Sequence, residues 1–198
     1  MTSADRRRSS ILLGASRFFS FGATGSTERA LGSVVTNGFA GAGGTVYSVL
    51  SLTNGSDAVF SGFTLSYDGE QWRNGGNATA QSLTVQYGFG SSFAAVTSWT
   101  AAGSAFNFTS PVATATAAAL DGNAAANRVA GLGGTVTTNW AAGQTLWVRW
   151  TDQNDAGNDH GLAIDNVSFS VPAATVTPEV PEPSSYAIAL AGLAVAGL

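Results

Sequence analysis

The chain has 198 residues, 10% of them charged and 44% hydrophobic, with a net charge of −4 and no cysteine. That length suits one domain with appendages, and a domain of about 150 residues can bury one sizeable core. The missing cysteine excludes disulfides, thiolate zinc sites and a cysteine nucleophile, the single histidine excludes multi-histidine metal sites, and eight arginines with no lysine and no basic stripe argue against nucleic acid as a partner.

Residues 1–15 read as a disordered or truncated N-terminus. Arg6, Arg7 and Arg8 precede an apolar run of only Ile11 to Leu13, broken by Gly14, Ser16 and Arg17. A secretory signal needs about 7–15 apolar residues and a small-residue cleavage site. From residue 16 to 171 the pattern is of strands. Phe18 to Phe21 is a short aromatic run. Thr45 to Thr53 puts Val46, Ser48, Leu50 and Leu52 on one face, and Asn54-Gly55-Ser56 signals a turn. Val59 to Tyr67 aligns Phe63, Leu65 and Tyr67, and Leu83 to Phe89 aligns Leu83, Val85, Tyr87 and Phe89. The alanine-rich stretch 113–126 is interrupted by Asp121-Gly122-Asn123, which predicts a loop with about one helical turn. Thr145 to Trp150 and Leu162 to Val171 complete the set. In the last, strict alternation sets Ile164, Asn166, Ser168 and Ser170 against Ala163, Asp165, Val167, Phe169 and Val171. Short alternating runs bounded by Gly, Asn and Asp predict an all-β antiparallel β-sandwich or jelly roll.

Composition changes at Pro172. Residues 172–185 form a Pro-rich linker, stiffened by Pro172, Pro178, Pro181 and Pro183. Residues 186–198 are apolar and predict a short C-terminal helix that contacts membrane. At 1.5 Å per residue it covers only ~20 Å of a ~30 Å hydrocarbon layer, so it is too short to span.

Val180-Pro181-Glu182-Pro183-Ser184-Ser185 followed by an apolar run resembles the PEP-CTERM sorting signal, with Pro181, Glu182 and Pro183 as the residues that name it. The same tail is also labelled the ice-binding protein C-terminal domain. The resemblance implies an exported protein, anchored in the inner membrane in transit through a transmembrane helix. A membrane-embedded exosortase then processes the tail, and the product reaches the cell surface or the exopolysaccharide matrix. The family pattern ends in arginines, whereas this chain stops at Leu198, so both termini are expected to be incomplete. The folded part resembles a group of uncharacterised secreted bacterial proteins. That resemblance rests on Ser26 to Ser33, Gly69 to Gly76, Leu120 to Ala125 and Trp147 to Asp165.

Two constellations offer chemistry. Thr151 to Gly161, with Asp165 on the next strand, is rich in carboxylates and amides. Asp152, Asn154, Asp155, Asn158, Asp159 and Asp165 are candidate calcium ligands, because calcium takes six to eight oxygens. The loop is not an EF-hand: with Asp152 first, Ala163 falls at the twelfth position. The same residues also suit a plain turn-forming loop. Asp165, on a predicted strand, needs a partner if it is buried, either Arg149 on the preceding strand or a metal. The second constellation is Glu70, Gln71, Trp72 and Arg73, candidate ligands for carbohydrate by aromatic stacking. Alternatively Trp72 fills the core while Glu70 and Arg73 form an ion pair. Trp147 and Trp150, three apart, point to opposite faces of one strand. Glu70 with a loop Asp, or His160 with Asp159, offers material for hydrolysis, but no Gly-x-Ser-x-Gly elbow supports a triad. The expectation is therefore a non-enzymatic protein of the envelope or exopolysaccharide matrix. A carbohydrate-binding module with structural calcium is the alternative, and a polysaccharide-active enzyme the weaker one.

Overall fold

The structure is a computed structural model in which residues 17–172 are described. The strands are β1 (Arg17–Phe21), β2 (Ala30–Val34), β3 (Thr45–Thr53), β4 (Phe60–Asn74), β5 (Ser82–Phe89), β6 (Thr100–Ala101), β7 (Phe108–Thr109), β8 (Ala118–Ala119), β9 (Arg128–Trp140), β10 (Thr145–Gln153) and β11 (Gly161–Ser170). One helical turn, α1, spans Asn37–Ala40. The fold is all-β, with two antiparallel sheets in a sandwich.

In the six-stranded sheet β1, β2, β11 and β4 follow in order, and the far side of β4 is shared by β9 and β8. In the five-stranded sheet β3, β10 and β5 follow in order, with β6 and β7 beyond β5. The inward faces match the alternation in the sequence: Phe63, Leu65 and Tyr67 of β4 meet Leu83 and Val85 of β5 and Leu146, Val148 and Trp150 of β10. The rings interlock edge to face, with Phe63 to Tyr87 at 5.5 Å and Tyr67 to Trp150 at 5.5 Å. The turn signal after β3 works through Asn54. Its Oδ1 accepts from the Ser56 N–H, and its amide donates to the carbonyls of Ala58 and Trp140. The alanine-rich stretch supplies the two-residue β8 and a single 3-10 turn at Ala125–Asn127.

Three departures from the sequence reading have physical causes. First, β4 continues seven residues past Tyr67 to Asn74. Its polar end is held because both its edges are paired, by β11 on one side and by β9 then β8 on the other. Second, β9 escapes the alternation rule because it carries glycines at positions 131, 133 and 134. Gly133, at φ 133°, passes so close to the Leu65 carbonyl that a Cβ there would overlap it. Third, the pairing of β11 with β4 slips between Asp165 and Ser168, where Asn166 takes φ 51°. This bulge inserts one residue and reverses the side-chain parity. Ile164 and Phe169, opposed by strict alternation, therefore pack against the same core.

A second, smaller cluster of Ala30, Trp72 and Ala163 lies outside the main core and is flanked by Phe21. It forms on the outer face of the six-stranded sheet.

Candidate functional site

The polar end of β4 alternates like any strand. Gln71 binds the backbone N–H and carbonyl of Val112, and Gly69 abuts Phe108 of the core. Asp68, Glu70 and Trp72 take the other face. On β11, Ala163 stands opposite Glu70 and Asp165 opposite Asp68, so Asp165 is a diagonal same-face neighbour of Glu70. Glu28, in the segment leading into β2, completes the group. One carboxylate oxygen from each of Glu28, Glu70 and Asp165 lies within 4.8 Å of the other two. Among the described residues this is the one such grouping of three or more acidic or histidine side chains.

Glu70 is 0% exposed. Its Oε2 accepts from the Trp72 indole N–H at 2.8 Å, while its Oε1 is buried with no hydrogen-bond partner. Glu28 has the same asymmetry: Oε2 accepts from the Asn123 amide and Oε1 is buried without a partner. Burial pushes the Glu70 carboxyl up to about 7; the Trp72 bond opposes this, and the Asp165 and Glu28 charges add to it. Gly122 lets the 120–127 loop lie on Trp72, since a Cβ there would overlap the indole ring. That close approach is what carries Asn123 to Glu28. Glu70, Trp72 and Asp165 were legible as site residues, the first two for a sugar surface and the third for the acidic loop. Glu28 sits in a segment with no strand period, and Asn123 reads as a turn residue.

The acidic loop is a separate place. Asp152 is the last inward position of β10 and is 7% exposed; it accepts from the Ser33 hydroxyl across the sandwich. Burial pushes its carboxyl up to about 7, with the Ser33 bond opposing and Asp159 and Asp155 adding. The Asn154 amide donates to the Asn37 side chain and the Gly41 carbonyl. Asp159 accepts from the Asp155 N–H and is pushed up to about 6, chiefly by burial. The Asn158 carbonyl accepts from Asn77 and Gln81. His160 is buried, its Nδ1 accepts from the Gly75 N–H, and burial lowers its pKa. The loop thus ties its polar groups largely to the protein, as turn-forming Asp and Asn do. It borders an open cleft of about 290 Å³ between Asn37, Arg73 and Asn158. Asp165 does not join it.

The anticipated sugar surface is not a surface. Glu70, Gln71, Trp72 and Arg73 are all buried, and Trp72 stacks on Phe21 with centroids 6.0 Å apart. Covering segments bury this strand end on both faces, so no indole face is open to a pyranose. Nor do Glu70 and Arg73 pair. Three apart on a strand, they point to opposite faces, and Arg73 donates to the Asp159 carbonyl at 2.7 Å. Arg149 is not the partner of Asp165 either, because the two side chains lie on the outer faces of opposite sheets. It donates to the Gln86 side chain and lies between the rings of Tyr47 at 4.5 Å and Trp99 at 4.0 Å. Trp150 is buried, whereas Trp147 faces outward and meets Phe93, which in turn meets Trp99.

Among the described residues, no helix is long and apolar enough to cross a membrane. Pro181, Glu182 and Pro183, the apolar helix expected over 186–198 and the N-terminal stretch lie outside the described residues. What the fold defines is a cysteine-free antiparallel β-sandwich with a buried carboxylate group on one outer face. Residues 179–198 match the PEP-CTERM protein-sorting motif, so this sandwich belongs to an exported protein addressed to exosortase-type processing and surface sorting. No curated protein and no solved structure matches the chain.

Proposed function

We propose that the protein is a non-enzymatic component of the bacterial envelope or exopolysaccharide matrix, delivered there by its sorting motif. The sorting motif at residues 179–198 carries this reading. The enclosure of the acid–base groups supports the non-enzymatic part. Glu70 and His160 are buried, and Asp159, which borders the open cleft, has one carboxylate oxygen engaged by the Asp155 N–H. The test is processing and delivery in a host that carries an exosortase. The wild-type chain should be shortened and recovered with the matrix. A variant with Pro181→Ala, Glu182→Ala and Pro183→Ala should stay uncleaved and cell-associated. Equal processing of both chains would refute the reading, and so would release of reducing ends from the host exopolysaccharide by the purified protein.

Carbohydrate binding is the second reading, favoured by one observation. The outer face of the five-stranded sheet presents Tyr47, Trp99 and Trp147 around Arg149, a mixed aromatic and hydrogen-bonding surface. A glycan array should then register binding that Trp99→Ala weakens by roughly tenfold or more, the worth of one stacking contact. Undiminished binding by that variant would place any glycan elsewhere.

A further inference from the structure

We propose that Glu28, Glu70 and Asp165 bind a calcium ion on the outer face of the six-stranded sheet. Four features of the group point the same way. The three oxygens lie within 4.8 Å of one another, which is inside the span of a calcium coordination sphere, about twice the 2.3–2.6 Å metal–oxygen distance. The ligand type is right for a hard cation: carboxylate oxygens, with no sulfur or imidazole in the group. Glu70 is 0% exposed and has one oxygen with no hydrogen-bond partner. A buried anion left in that state is strongly unfavourable.

The fourth feature is orientation. Trp72 holds Oε2 of Glu70, and Asn123 holds Oε2 of Glu28. In each residue the other oxygen is buried and without a hydrogen-bond partner. Donors that fix one oxygen and leave its twin for the ion are how an outer shell orients metal-binding carboxylates. The nearby cations make no hydrogen bond to the two free oxygens, although the Arg128 charge partly offsets that of Glu70. Arg128, opposite Glu70 in register, approaches Asp68 at 3.8 Å. Arg29 donates to the carbonyls of Ala23 and Glu28.

An ion here would join three stretches of chain: the segment before β2, the polar end of β4 and the bulged part of β11. With only three protein carboxylates, the affinity belongs with extracellular calcium modules, whose Kd is on the order of 10⁻⁴–10⁻³ M. The domain would then gain its full stability after export, where calcium is abundant.

The test is thermal unfolding of the purified full chain in EDTA, in calcium and in magnesium. Calcium at about 100-fold above Kd should raise Tm by ~5–10 °C. Glu70→Gln should remove the response while unfolding in EDTA no earlier than the wild type, since it relieves a buried charge. If Glu70→Gln does not fold, Glu28→Gln, at a half-buried position, should remove the same response. An absent calcium response in the wild type overturns the proposal. So does a response that survives Glu28→Gln or Glu70→Gln, or one abolished only by Asp155→Asn with Asp159→Asn, which would place calcium in the acidic loop. A rise in magnesium but not in calcium overturns the choice of ion.

Discussion

Asp152 and Glu70 illustrate how little a side chain's own identity says about its state. Both are carboxylates on regular strands, and both end up sealed beneath other elements. For Asp152 the consequence is a pH-dependent stability. An unfolded chain releases this proton near the ordinary value of 3.8, and the folded chain near 7. Its contribution is therefore full below about pH 4, falls as pH rises from 4 to 7, and is constant above 7. The total is roughly 4 kcal/mol, at about 1.4 kcal/mol per tenfold change in proton affinity. Asp152→Asn keeps an acceptor for Ser33 and removes the charge. Urea denaturation in EDTA from pH 4 to 8 should therefore show a much flatter profile for the variant. Glu70 and Asp159, raised in the same direction, leave it some residual slope. Parallel profiles for the two proteins would mean that Asp152 ionises freely in the fold.

At the scale of elements, β11 decides most. Its bulge turns Phe169 inward while Asp165 stays on the outer face beside Glu70. Asn166 makes this possible by adopting φ 51° and donating its amide to Asp68 at 3.0 Å. A β-branched residue resists that conformation by roughly 1–2 kcal/mol. Asn166→Val should destabilise the domain by about that amount plus the lost hydrogen bond, whereas Asn166→Gly loses only the bond. Equal losses in chemical denaturation would show that the backbone conformation at 166 is immaterial. This bulge was invisible in the sequence because Leu162 to Val171 alternates well enough to pass for an unbroken strand. The inner faces of β3, β4, β5 and β10 were legible, since each keeps period two without interruption. β9 was not, because its glycines erase the side-chain pattern from which a strand is read.

At the scale of the whole molecule, the chain shuttles between the sheets: β1 and β2 in one, β3 in the other, β4 back in the first, β5 to β7 in the second, β8 and β9 in the first, β10 in the second and β11 in the first. Each sheet thus unites distant parts of the chain, as where Ser33 pairs with Leu162. The carboxylate group is a product of that weaving, drawing on residues 28, 70 and 165. The sequence by itself determined the all-β class, the inward faces of the regular strands and the sorting motif. All three depend on neighbours within a few residues, where strand period, turn chemistry and short motifs operate. Only the tertiary structure decided that Trp72 is buried, that Arg149 stacks on rings rather than pairing with Asp165, and that Asp165 joins Glu28 and Glu70 instead of the acidic loop. Those outcomes depend on register, bulges and sheet membership. They are set by the packing of segments from about fifty to more than a hundred residues apart, which no local pattern encodes.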